Sequence, residues 1–343
     1  MSGDADFAEV LKRLVAGKTL DTTQAAQAFA AIMSGAVSQI HIAAFLTALA
    51  MRKPTVDEIV GAVRAMRASM RTVTPPAGAI DLCGTGGDGH DTLNISTATA
   101  LVVAACGVPV AKHGNRAASS RSGTADVLEV FGVKIDVAPD VAQNCLREAG
   151  FCFLFAPTYH TAMKHVGPVR RALGFRTIFN LLGPLSNPAQ VKRQLLGVFA
   201  ADWVEPLAHV LKELGTEKAW IVHGRDGLDE LTTSASTTVA MLEHGKVTMR
   251  EVTPEEIGLV RVPLSALKGG EAVENAEALR ALLDGAKGAY RDIVLLNSAA
   301  ALIVADKAAD LQSGAGLAAK AIDSGAARSV LARLAAASQK SPS

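Results

Sequence analysis

From Ala79 onward the sequence alternates short, continuous apolar runs with segments of helical periodicity, and this alternation restricts the fold more than any other feature. Apolar runs at Ala79 to Cys83, Val108 to Ala111, Val133 to Val137 and Phe151 to Phe155 are separated by helix patterns at Ile95 to Cys106, Ala125 to Phe131 and Val141 to Glu148. Strands that are apolar on both faces must be covered on both faces, so the pattern predicts βαβ units around a mostly parallel central sheet. Two more runs, at Gln194 to Ala200 and Ala219 to Val222, flank a helix at Trp203 to Leu214. Residues after Thr237 alternate like antiparallel strands, and the stretch from Asn275 on is largely helical. The expected class is α/β.

The first seventy or so residues differ. They read as consecutive short amphipathic helices, with capping boxes at Asp21/Gln24 and Thr55/Glu58 and stops at Gly17 and Gly35. Ile42, Phe45, Leu46 and Leu49 recur at helical spacing and mark a packed face. Two consecutive prolines in Thr74-Pro75-Pro76 cannot continue a helix and mark a boundary. From Tyr159 to Asn187 the α/β pattern breaks into turn-rich helical pieces. The expected organisation is a helical domain over 1–73, joined by the helical segment 159–187, and a larger α/β domain over 74–343.

Composition narrows the function classes. Hydrophobic residues are 49% and charged residues 20% of the 343, which suits packed domains and not disorder. A formal charge of +1 and an aromatic content of 4% provide neither the field nor the rings for nucleic-acid binding, so any anion site must be local. The four cysteines form no CxxC pair and read as reduced core residues of a cytoplasmic protein. The first residues are acidic and lack the basic start and apolar run of a secretory signal, and no apolar stretch is long enough to span a bilayer. No membrane association is expected.

The chemistry concentrates in three places. Asp81-Leu82-Cys83-Gly84-Thr85-Gly86-Gly87-Asp88-Gly89 is a glycine-dense turn directly after the first strand. Its glycines allow positive φ and bring backbone N–H groups to an anion, and the helix starting at Asn94-Ile95-Ser96-Thr97 adds the positive end of its dipole. This reads as a phosphate or diphosphate cradle, with a purely structural tight turn as the alternative. No Gly-Lys-Ser/Thr follows, so it is not a Walker A loop, and the GxGxxG match is weak because polar residues run on to Asn94. Lys112-His113-Gly114-Asn115-Arg116, with Ser119 and Ser120, follows the second strand and should share the carboxyl edge with that loop. Lys112 offers a cation for phosphate, and His113 and Asn115 can orient a hydroxyl or an amine. Asp229-Glu230, on a loop after the strand ending at Gly224, are hard oxygen ligands suited to Mg²⁺ beside a diphosphate, or else a solvated acidic turn. His160 and His165, five apart, do not make a zinc pair, and either Arg170 or Arg171 could fork onto a carboxylate.

Taken together, these motifs and the stretch Arg176-Thr177-Ile178-Phe179-Asn180-Leu181-Leu182-Gly183-Pro184-Leu185-Ser186-Asn187-Pro188 resemble the anthranilate phosphoribosyltransferase family. The resemblance implies transfer of a 5-phosphoribosyl group from phosphoribosyl diphosphate (PRPP) to the amino group of anthranilate, a step of tryptophan biosynthesis. It implies that Gly84, Thr85, Gly86, Gly87, Asp88, Thr92, Asn94, Ser96, Thr97, Lys112, His113, Gly114, Asn115, Ser119 and Ser120 hold PRPP. Ser96, Asp229 and Glu230 would bind Mg²⁺. Gly84, Asn115, Ala156, His160, Met163, Arg170 and Gly183 would lie along the anthranilate, and Lys112 with Mg²⁺ would stabilise the transition state without a certain catalytic residue. Where the family often has His-Pro-Ala, this chain has His160-Thr161-Ala162. The family also implies a homodimer formed through the helical domain. A pyrimidine nucleoside phosphorylase shares this architecture, but the wording from Lys112 to Arg116 fits it poorly.

Overall fold

The computed structural model describes residues 4–116 and 121–340, so Ser119 and Ser120 lie outside the described residues. The chain divides into two compact units, Met1–Thr72 with Ala156–Pro188, and Val73–Phe155 with Ala189–Ser343.

The elements begin with four helices, α1 (Asp4–Val15), α2 (Thr22–Met33), α3 (Gln39–Arg52) and α4 (Val56–Ser69). There follow β1 (Ile80–Gly84), α5 (Ile95–Ala105), β2 (Val110–Gly114), α6 (Thr124–Val130), α7 (Pro139–Ala149) and β3 (Phe151–Phe155). Three short helices come next, α8 (Ala156–Tyr159), α9 (Gly167–Leu173) and α10 (Phe179–Leu185). Then come β4 (Arg193–Gly197), α11 (Val204–Glu213), β5 (Lys218–Gly224), β6 (Thr237–Glu243) and β7 (Lys246–Val252). Helices α12 (Ala272–Leu283), α13 (Ala289–Val304), α14 (Leu311–Asp323) and α15 (Ala326–Ser338) close the described chain.

In the helical unit, both capping boxes form. Asp21 accepts from the Gln24 N–H at 2.8 Å, and Thr55 Oγ1 accepts from the Glu58 N–H at 3.3 Å. These bonds satisfy N–H groups that the first helical turn leaves unpaired, which fixes where α2 and α4 start. Ile42, Phe45, Leu46 and Leu49 of α3 are buried. Phe29 packs edge-on against Phe45 and Phe179 with centroids 5.4 and 5.7 Å away, so rings from α2, α3 and α10 share one core. Helices α2 and α4 approach closely at Gly61, where a Cβ would lie 2.4 Å from the Thr22 carbonyl oxygen.

In the α/β unit, the sheet among the described residues has seven strands in the order β3-β2-β1-β4-β5-β6-β7. The first five in that order run parallel, and β6 and β7 are antiparallel. Right-handed crossovers put α5, between β1 and β2, and α11, between β4 and β5, on opposite faces of the sheet. Both faces of the parallel strands are therefore covered, and β1, β2 and β3 are each buried over their first four residues, Asp81, Lys112 and His113 included.

The run at Val133 to Val137, expected as a strand, is not one. Its Val133, Ile135 and Val137 are buried, but the Lys134 N–H donates to Ser338 Oγ at 2.9 Å instead of to a strand. The segment is an extended lead into α7, which Pro139 opens, and its apolar side chains serve helix packing.

Candidate active site

From β1 the parallel strands grow to β2 and β3 on one side and to β4 and β5 on the other. At such a switch point the carboxyl ends of the strands open a crevice, where α/β sheets hold ligands. The glycine loop after β1, the end of β2 and the loop after β5 all emerge along this edge. Gly86, Gly87 and Gly89 have φ of 64°, 77° and 80°, a region costly to other residues, so the loop curls in a way that only this composition allows. Its first residue is tied to β4: the Thr85 N–H donates to the Gly197 carbonyl, and Thr85 Oγ1 accepts from the Phe199 N–H, both at 2.9 Å. At its far end, Thr92 bridges to Lys268 and the Leu93 N–H donates to Leu267 O at 2.9 Å.

Asp229 and Glu230 lie beyond β5, with β4 between them and β1. They reach the glycine loop because β4 ends in Gly197, where a Cβ would lie 1.5 Å from the Asp229 carbonyl oxygen. A Cβ on Gly84 would lie 2.3 Å from Asp229 Oδ2, and the Gly86 N–H donates to that oxygen at 2.8 Å. Burial and the nearby Asp88 push the Asp229 carboxyl up, with the Gly86 N–H pulling the other way. Burial and Asp229 push Glu230 up as well, against the Lys112 ammonium and the Ser96 N–H.

Two adjacent, half-buried carboxylates that resist ionising side by side form a site short of positive charge, and a divalent cation would supply it. Among the described residues, no three His, Cys, Asp or Glu groups converge to hold a metal alone. The donor set fits Mg²⁺, which takes one or two protein carboxylates and completes its shell with phosphate and water.

Lys112 is 2% exposed, and its ammonium donates to the Leu82 carbonyl and, at 3.1 Å, to Ser96 Oγ. It therefore sits at the start of α5, beside the Ser96 N–H that faces Glu230. The β1–β2 ladder pairs Ile80 with Val110, and farther along side chains join the strands. Asp81 Oδ1 accepts from the His113 N–H at 3.1 Å. Thr97 is buried, with Oγ1 2.9 Å from Thr124 Oγ1 at the start of α6. Asn94 donates to the Ser122 carbonyl at 3.2 Å and accepts from Asn275 at 2.8 Å. Gly114 lies at the end of β2 against the Phe153 ring, and Asn115 is exposed just past it.

The other expected acceptor residues belong to the helical unit. Ala156 opens α8, and Met163 lies half-buried in the turn of residues 161–165. Burial pulls the His160 imidazole down to about 4, against a hydrogen bond to the Ser186 backbone, so the ring is neutral near pH 7. A Cβ on Gly183 would meet nothing within 4 Å, which leaves open space beside α10. Arg170 is half-buried with its guanidinium 5.5 Å from the Phe179 ring centroid, and burial lowers its pKa. Among the described residues it meets no carboxylate within ion-pair distance, whereas Arg171 is exposed. A desolvated cation of this kind lacks an anion.

Several residues of the site escaped sequence reasoning. Gly197 was hidden because its role is a contact across strands. Tyr290, Asn275 and Asn297 lie far along the chain, and the visible signal is Asn297, which with Ser298 interrupts the apolar run from Ile293 to Ala305.

Comparison with known proteins agrees with this layout. Residues 77–328 match the model of the "Glycosyl transferase family, a/b domain", and residues 8–70 match the "Glycosyl transferase family, helical bundle domain". The anthranilate phosphoribosyltransferase of Parvibaculum lavamentivorans is 59% identical over 332 residues, covering 97% of each chain. The crystal structure of the Thermus thermophilus anthranilate phosphoribosyltransferase superposes with a TM-score of 0.91 at 44% identity, over 96% of this chain and 99% of that one. The Saccharomyces cerevisiae enzyme, solved in complex with PRPP and Mg, gives 0.90 at 28% identity over 98% and 99% of the two chains. Fold, motif order and near-complete coverage coincide, and the chain belongs to the anthranilate phosphoribosyltransferase family.

Proposed function

We propose that this protein transfers the 5-phosphoribosyl group of PRPP to the amino group of anthranilate, giving N-(5-phosphoribosyl)anthranilate and diphosphate. The reaction is a step of tryptophan biosynthesis. The observation that carries the reading is the half-buried Asp229–Glu230 pair, brought against the glycine loop and beside Lys112 and Ser96. Few ligands other than a metal-bound diphosphate would suit amides, an ammonium and two carboxylates at one strand edge.

In this reading Ser96, Asp229 and Glu230 hold Mg²⁺, and the residues from Gly84 to Thr97 and from Lys112 to Ser120 named above hold PRPP. A bound Mg²⁺ offsets the charge of the diphosphate. The C1–O bond to diphosphate breaks as the C1–N bond to anthranilate forms, and the amine proton goes to solvent. C1 carries oxocarbenium character on the way, so the main task is to stabilise the departing charge. The loop amides and the Lys112 ammonium would do that without a covalent nucleophile. The aryl amine is neutral at physiological pH and needs aiming more than deprotonation. Arg170 would take the anthranilate carboxylate, with Gly84, Asn115, Ala156, the neutral His160, Met163 and Gly183 along the acceptor. The test is anthranilate fluorescence, which should fall only when PRPP and Mg²⁺ are both present. A full mixture that leaves it unchanged overturns the reading.

We also infer a homodimer through the helical domain of 1–73 and 159–187. Val15, Ile40 and Met51 of that domain are 81%, 80% and 85% exposed, apolar side chains that a second copy could cover. Light scattering should return twice the chain mass. Four free cysteines suit the reducing cytoplasm as the site of action.

A further inference from the structure

Helix α13 touches both halves of the diphosphate site without belonging to either. Near its start, the Tyr290 hydroxyl donates to the Asn94 carbonyl at 3.0 Å, at the entrance to α5. Farther along, Asn297 is 0% exposed, and its amide embraces the backbone of the residue that follows Glu230. Asn297 Oδ1 accepts from the Leu231 N–H at 3.0 Å, and its Nδ2 donates to the Leu231 carbonyl at 2.8 Å. The same Nδ2 donates to the Ile293 carbonyl one turn back at 2.9 Å, which holds the rotamer.

Seven residues make almost two full turns, so positions 290 and 297 share a face about 10 Å apart along the axis. Burying an amide in an apolar helix is costly unless its donors and acceptor are all met, and here a single loop residue meets most of them. The spacing of Tyr290 and Asn297 on one rigid helix therefore matches the spacing of two loops that must meet a single ligand. The Gly86 N–H on Asp229 and the Ser96 N–H on Glu230 tie these segments through the carboxylates, whereas α13 holds them through their backbone.

We propose that α13 is a strut which sets the distance between the Asn94–Ser96 helix start and the Asp229–Glu230 loop, with Tyr290 and Asn297 as its positioning residues. Neither side chain touches substrate in this scheme; each acts through the backbone that it holds. The proposal rests on the function proposed above.

The test compares Tyr290→Phe, Asn297→Ala, the double variant, and Leu302→Ala as a control for buried packing on the same helix. Calorimetry gives the dissociation constant of PRPP in the presence of Mg²⁺, and steady-state kinetics gives both KM values. Each positioning variant should weaken PRPP binding about fivefold or more, the worth of one hydrogen bond, and raise the half-saturating Mg²⁺ concentration in parallel. The KM for anthranilate should hold within about twofold. A strut freed at one end no longer sets a distance, so the double variant should lose no more than the worse single variant. Leu302→Ala should lower the melting temperature and leave PRPP binding unchanged. Wild-type PRPP affinity in both single variants, equal weakening in the Leu302 control, or additive losses would each overturn the strut. A wild-type protein that binds no PRPP would instead overturn the function on which it rests.

Discussion

Arg170 and Arg171 are adjacent in the chain, and only their surroundings separate them. Arg170 is half-buried over the Phe179 ring, while Arg171 is exposed. A desolvated guanidinium gains most from a carboxylate, and a charged hydrogen bond is worth about 1.5–3 kcal/mol. Arg170→Ala is expected to raise the KM for anthranilate about 10- to 100-fold and to leave PRPP binding intact, whereas Arg171→Ala should leave both unchanged. Equal effects of the two substitutions would remove Arg170 from the acceptor site. Gly197 makes a different argument, from space. A Cβ 1.5 Å from the Asp229 carbonyl oxygen cannot be accommodated by a side chain turning away, since the atom it meets is backbone. Gly197→Ala must move the carboxylate loop, and a displacement of about 1 Å can cost about 100-fold in rate. Activity should fall by that order while the circular dichroism spectrum stays native. Retained activity would show that the loop has slack.

At the scale of the element, the start of α4 shows how one side chain can tie three segments. The Glu58 carboxylate accepts from the Thr55 N–H and the Leu20 N–H, each at 2.9 Å, and from Nη1 and Nη2 of Arg52. Its side chain is 1% exposed and that of Arg52 is 20% exposed. Burial would raise the Glu58 pKa, but Arg52 and the two N–H groups outweigh it and hold the group below its ordinary 4.5. Breaking one side of a buried pair costs about 3–5 kcal/mol, so Glu58→Ala should lower the melting temperature sharply. Because the folded carboxyl is the stronger acid, its contribution is present above pH 4.5 and is lost as the pH falls through the folded value. Glu58→Gln should flatten that acid limb of the stability curve; an unchanged limb would show that other carboxylates govern it. The capping half of this arrangement was legible in the sequence because Thr55 and Glu58 are three apart. The Leu20 bond was not, since nothing local marks a contact across 38 residues. The run from Val133 to Val137 misled for the same reason: burial was legible, but what the buried side chains pack on was not.

Over the whole molecule, the proposed diphosphate site draws on residues 84–97, 112–115 and 229–231, and residues 275–297 brace it, all within the α/β unit. The first three stretches were legible because each is locally odd: too many glycines, a lysine at a strand end, paired carboxylates on a loop. The fourth looks like ordinary helix, and only the fold reveals what Tyr290 and Asn297 hold. A ligand that joins such separated stretches should stabilise the unit that contains them. At about 100 times its dissociation constant, a ligand adds about 2.7 kcal/mol. In a unit of this size that corresponds to a rise of about 5–10 °C in unfolding temperature. PRPP with Mg²⁺ should therefore raise the calorimetric transition by that amount, and a chelator should remove most of the rise, because the Asp229–Glu230 pair would repel the charged ligand without a cation to offset it. Since the Glu58 lesion lies in the helical unit, Glu58→Ala should melt earlier and still show a shift of the same size. A full shift in the presence of chelator would mean that the amides and Lys112 bind PRPP unaided, and the two carboxylates would then need another role.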